Sequence, residues 1–213
     1  MQANAAITLV EAISTVWAAI RTRHPDTPDV FVTVGAGVSA RGVKLGHFAA
    51  GSWLHHSAAE GAEAMAELFV GGEGLASGPA DLLATLLHEA AHGIAHTRGV
   101  KDTSRQGRWH NARFRDIAQG IGLTITRNDR IGWSVSDLGP TTAENYAAEL
   151  RILSDALVAH RVTTAGGDDD AKTKRTSFSA SCGCGRTIRL SRKTFDLGPI
   201  TCSVCGDAFL VRH

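Results

Sequence analysis

In the stretch LLATLLHEAAHGIAHT, residues 82–97, the pattern His88-Glu89-Ala90-Ala91-His92 combines two metal-ligating side chains with a carboxylate. On an α-helix, residues four apart lie one above the other, so His88 and His92 can offer two imidazole nitrogens to one metal ion. Glu89 sits on the neighbouring flank, where a carboxylate can hold and deprotonate a metal-bound water without becoming a ligand. A catalytic zinc ion needs one more protein ligand and an open position, and that ligand usually comes from a different element packed on the first helix. His110 is the leading candidate, because it stands where a second helix begins. Its rival, His96, shares the helix face of His88 and His92 but lies a further turn along, about 6 Å from His92, and would strain to reach the same ion. A third His six residues after the second would make a compact zinc-protease pattern with a glycine turn. Arg98 occupies that position, so this variant is excluded. His47, His55 and His56 stand near aromatic residues and read as structural or exposed rather than as ligands.

The four cysteines supply a second metal chemistry. Cys182, Cys184, Cys202 and Cys205 form two close pairs near the C-terminus, a spacing that suits tetrahedral zinc better than a disulfide framework. Four thiolates leave no open position, so this zinc is expected to be structural and the compartment reducing. Formal net charge is only +1 over 213 residues, yet residues 172–213 carry eight Lys or Arg against two Asp. Arg186, Arg189, Arg192 and Lys193 flank a strand-like alternation at residues 187–190. With Phe178, Phe195 and Phe209 nearby, the module could bind phosphates and stack on a base of DNA. The alternative is that the charges solvate a very small fold and the phenylalanines form its core. The N-terminus lacks a basic start, and no run approaches the roughly 20 apolar residues of a membrane span. A cytoplasmic protein with no membrane partner is expected.

The surrounding elements must position these groups. Helical spacing of Ile7, Val10, Ile13, Trp17 and Ile20 predicts a helix over residues 5–23 with one core-facing side. Residues 30–34 are largely β-branched and predict a strand. The following Gly35-Ala36-Gly37 lacks the third glycine and the later acid of a dinucleotide-binding turn. Residues 43–54 read as one or two short strands, 58–66 as a short helix and 67–70 as a strand. A strand beside the metal-binding helix could pair its exposed edge with an extended peptide. Gly78-Pro79 and Gly99 bracket the central helix. A surface loop is expected over 98–108, a helix over 112–121, a hairpin of strands over 123–126 and 131–135, and a last helix over 146–160. The glycines, aspartates and threonines that follow read as a linker. The pattern as a whole is α+β.

A helix carrying HExxH, a later His opening a second helix with Phe114 four residues on, and a basic ribbon with paired cysteines together resemble the SprT-like zinc metalloproteases. The resemblance covers most of the chain from Glu67 onward. It implies a zincin-like metalloprotease domain over residues 1–161, with helices packed on a small sheet, a linker over 162–177 and a zinc ribbon over 178–213. It further implies zinc ligation by His88, His92 and His110, catalysis by Glu89, a structural zinc on the four cysteines, and action on DNA-associated or DNA-crosslinked proteins. The chain departs from the family in carrying Asn111 after His110, where glycine is frequent, and small residues after His92. Two other readings fit the residues: a nucleic-acid-binding zinc protein without proteolysis, and a narrow-specificity regulatory protease indifferent to DNA. Tyr146, Arg108 and His96 are candidates for an oxyanion-stabilising donor.

Overall fold

Leu82, Leu83, Leu86 and Leu87 are all buried on a 19-residue helix, α2 (Pro79–Thr97), around which the main unit is packed. Burying one such side chain contributes about 1.5–3 kcal/mol, so this face alone anchors the helix firmly. Pro79 occupies its first turn, Asp81 complements the positive end of the dipole, and Gly99, with φ 62°, follows its last turn. The computed structural model describes residues 4–39, 42–54, 64–162 and 177–211. It divides into two units, Met1–Thr163 and Thr164–His213. His55, His56, most of the expected 58–66 helix and nearly all of the expected linker lie outside the described residues.

The architecture is α+β, with small sheets and helices. Helix α1 (Ala5–Arg23) buries Ala12, Ile13, Val16, Trp17 and Ile20, whereas Ile7 is exposed. By length and composition alone α1 could cross a membrane, which corrects the expectation that no run approaches that length; here its apolar side lies in the core. The first sheet joins β1 (Val30–Gly35), β5 (Met65–Gly71) and β4 (Gly46–Trp53) in the order β1-β5-β4. Strand β1 runs parallel to β5, and β4 runs antiparallel to it from Gly46 opposite Val70 to Ala49 opposite Glu67. That leaves β4 on the outer edge, beside α2. Met65 and Ala66, the end of the expected 58–66 helix, belong to β5. A small ribbon of β2 (Val38–Ser39) and β3 (Gly42–Val43) precedes β4.

The second sheet has the order β6-β7-β9-β8, from β6 (Thr103–Ser104), β7 (Trp109–His110), β8 (Leu123–Asn128) and β9 (Gly132–Leu138). The stretch expected as a loop over 98–108 thus contains half of a small hairpin. Helix α3 (Ala112–Gly120) packs Phe114 and Ala118 on the core. The expected last helix is two: α4 (Pro140–Asn145) and α5 (Ala147–Ala156). Arg23 ties α1 to this pair, bonding Glu149 at 2.9 Å and lying over the Tyr146 ring at 4.3 Å.

The C-terminal unit is built on β10 (Ser177–Ser181), β11 (Thr187–Ser191), a short helix α6 (Arg192–Asp196) and β12 (Leu210–Val211). Its sheet has the order β11-β10-β12 and is antiparallel throughout. Ala180, Cys182, Cys202 and Phe209 form its buried centre, with Ile188, Leu190, Phe195 and Ile200 packed against them.

Candidate functional site

Three imidazoles meet at one point. The ligand atoms of His88, His92 and His110 all lie within 4.8 Å of one another, and the Nε2 atoms of His92 and His110 are 3.2 Å apart. Two nitrogens sharing a tetrahedral zinc at about 2.0–2.1 Å stand about 3.3 Å apart, so this separation suits the ion. Helix α2 supplies the first two rings one turn apart. His110 arrives from β7, which runs parallel to β9 at His110 opposite Gly132. Gly132 adopts φ 79°, and a Cβ there would stand 2.2 Å from the His110 carbonyl oxygen, so only glycine permits this approach. Asn111 then caps α3, accepting from the N–H groups of Arg113 and Phe114, while its amide donates to the Lys101 carbonyl. This cap gives the chain's departure from glycine after His110 a structural use.

Each ring is held through its other nitrogen. His110 Nδ1 lies 3.1 Å from the Ile131 carbonyl oxygen and His92 Nδ1 lies 2.5 Å from Asp102. A carbonyl and a carboxylate accept, so both Nδ1 atoms donate, and in the neutral rings both Nε2 atoms carry lone pairs. His88 Nδ1 pairs with Ser136 Oγ at 2.7 Å. With neutral rings the two lone pairs face one another at 3.2 Å, an arrangement that a shared zinc ion fits. Phe114, fully buried, lies 4.6 Å from all three rings, centroid to centroid, and forms their floor. Burial, reinforced by the neighbouring histidines, pushes the pKa of His88 well down and that of His110 down. Neutral imidazole is the form that binds metal.

Glu89 is turned inward on the same helix and is 6% exposed. Its Oε2 accepts a 2.8 Å hydrogen bond from the Phe48 N–H of β4. Burial raises its pKa, against the opposing pull of His92 and of that N–H donor. A Cβ on Gly46 would come within 2.7 Å of Thr85 and 2.8 Å of Glu89 Oε1, so glycine there lets the strand lie against the helix. The cleft around these groups measures about 880 Å³ and reaches Lys44, His47, His96 and Arg108. Beyond His88 and Glu89 an adjoining pocket of about 450 Å³ is lined by Leu45, Ala84, Ile131 and Val135.

His96 and His47 thus line the cleft and stand outside the ligand set. Arg108 also faces it. Tyr146 does not: its ring is in the core, its hydroxyl is buried without a hydrogen-bond partner among the described residues, and burial pushes its pKa to about 12. Asp102 and Ser136 were not identified from the sequence. Asp102 had a signal, as the sole carboxylate between Glu89 and Asp116; Ser136 had none.

In the C-terminal unit, the ligand atoms of Cys182, Cys184, Cys202 and Cys205 also lie within 4.8 Å of one another. The sulfurs of Cys184 and Cys202 are 3.8 Å apart, matching the roughly 3.8 Å edge of a tetrahedral zinc-thiolate site. The cysteines form no disulfide. Two tight turns present them, closed by Gly185 N–H to the Cys182 carbonyl and Gly206 N–H to the Cys202 carbonyl. The backbone N–H groups of Cys205 and Val204 hold the Cys202 thiol down at about 6, whereas hydrogen bonding with Cys182 pushes Cys184 up to about 12. Phe195 and Phe209 belong to this unit's core. No family model, curated protein or solved structure matches the chain.

Proposed function

We propose that the main unit is a zinc-dependent endopeptidase of the SprT-like kind, with His88, His92 and His110 as metal ligands and Glu89 as general base. The observation that carries this reading is the Glu89 carboxylate, oriented by a main-chain N–H of the edge strand beside three converging imidazoles. When bound, zinc supplies Lewis acidity, lowering the pKa of a coordinated water to about 7 and polarising a carbonyl. Glu89 Oε2 is engaged by Phe48, which leaves Oε1 to take the proton of the attacking water. As the C–N bond breaks, Glu89 returns that proton to the leaving amine. The edge of β4 offers main-chain groups to an extended peptide. Arg108 and His96, both at the cleft, remain the oxyanion donors of this reading.

The cysteine quartet holds a structural zinc in the same proposal. Contact with DNA is assigned to the phosphates and to Arg186, Arg189 and Lys193 of this unit, without stacking by Phe195 or Phe209, which its core uses. The test is Glu89→Gln, assayed on unfolded casein with metal content measured on the same sample. Zinc is expected to stay at the wild-type level and cleavage to fall by about 10²–10⁴-fold. A variant that still cleaves at the wild-type rate rejects the mechanism.

A further inference from the structure

The carboxylates and the cations of the cleft are arranged unequally. Its two acids are both turned inward and engaged: Glu89 by the Phe48 N–H and Asp102 by His92. Its two permanent cations, Lys44 and Arg108, are both exposed, and neither has an ion-pair partner among the described residues. Lys44 stands just before β4, and Arg108 closes the hairpin of β6 and β7, so the two come from different elements of one cleft. Lys44 also borders the adjoining apolar pocket.

The same hairpin carries more positive charge. Arg105, in a left-handed conformation at φ 52°, places its guanidinium 4.5 Å from the Trp109 ring centre, and Arg127, from β8, places a second one 5.7 Å from it. Neither has a carboxylate partner among the described residues. The hairpin and the neighbouring end of β8 therefore present cations with no carboxylate paired to them among the described residues.

Resting on the endopeptidase reading, we infer that the cleft selects acidic peptide segments, with Lys44 and Arg108 as specificity-determining residues on either side of the metal site. A polypeptide is favoured over a nucleic acid for two reasons. The edge strand β4 offers a ladder of main-chain groups, which matches a peptide backbone. Trp109, next in the chain to Arg108, is covered by Arg105 and Arg127, so it offers little free face for stacking bases.

The experiment uses the zinc-loaded 213-residue chain with Glu89→Gln and three fluorescent probes of equal length. One is a peptide with Asp and Glu flanking a central leucine, one is the same peptide with Lys in their place, and one is a single-stranded oligonucleotide. Fluorescence anisotropy at low salt is expected to give about tenfold tighter binding of the acidic peptide than of the lysine peptide, with the gap closing as salt rises. In Lys44→Glu/Arg108→Glu, checked for wild-type circular dichroism and zinc content, the preference is expected to reverse. Both side chains are exposed, and single Lys44→Gln and Arg108→Gln variants, each expected to lose part of the preference, provide the readout if the double variant misfolds. Equal binding of the two peptides overturns the inference. So does displacement of the acidic peptide by an equimolar amount of the oligonucleotide, which would make the cleft a phosphate-binding surface. Wild-type protein separates the two levels: cleavage of both peptides at equal rates removes the specificity and keeps the enzyme, whereas selective binding with no cleavage of either removes the enzyme and keeps the specificity.

Discussion

The histidine cluster of the main unit and the cysteine cluster of the C-terminal unit solve opposite problems. In the first, three imidazoles come from α2 and β7, and a buried carboxylate stands beside them in an open cleft. In the second, four sulfurs come from two glycine-containing turns and close the shell themselves. Three ligands leave room for a reactant, and four leave none. The supports differ accordingly. The histidines are fixed from behind by Asp102, Ser136 and the Ile131 carbonyl, as a site needs when its geometry must persist with one corner free. The cysteines draw on local N–H groups, and their metal would serve chiefly to stabilise a core of few residues.

Breaking one site while sparing the other sharpens this contrast. The largest effect is expected from Cys202→Ser: the C-terminal unit loses its metal and its fold, because binding of a structural zinc contributes about 10–16 kcal/mol of folding free energy. Casein cleavage by the main unit should persist, and limited proteolysis with mass spectrometry should show the new cut sites confined to residues after 163. Smaller is the effect of Asp102→Asn, which keeps the shape of the partner of His92 and removes its charge. Competition with a chromophoric chelator should show zinc affinity at the histidine site lowered by about 10–100-fold, with the cysteine site unchanged. Smallest is Tyr146→Phe, which removes a buried hydroxyl that has no hydrogen-bond partner among the described residues and lines neither site. Thermal unfolding should show stability unchanged or raised by up to about 1 kcal/mol. The sign at high pH follows from the raised pKa. In the folded chain Tyr146 ionises near 12 rather than near 10, so its contribution is complete below pH 10 and is lost as pH climbs toward 12. The phenylalanine variant should lose less stability across that window.

Local spacing explains which parts were legible in the sequence. His88, Glu89 and His92 lie within five residues of one helix, so a single periodicity fixes their relation. The elements β1, β5, α1 and α2 carry continuous apolar patterns and were readable for the same reason. His110 was accessible through the helix that opens beside it, although its convergence with the pair depends on Gly132 admitting β9. Ser136 pairs with a ring 48 residues away, a contact that no local pattern records. The two-residue strands β6 and β7 are too short to show alternation, so the hairpin with Arg105 and Arg108 read as loop. Tyr146 was a candidate donor by residue type, yet the packing of α1 against α5 draws it beneath Arg23 and away from the cleft.

The most direct measurement is zinc per chain, by inductively coupled plasma mass spectrometry, in wild type and in His110→Ala. Two metal sites of independent construction predict two zinc ions in the wild type and one in the variant, with casein cleavage abolished alongside the missing ion. A variant that keeps both ions, or a wild type that holds one ion and still cleaves after losing His110, contradicts an open zinc site built from three histidines.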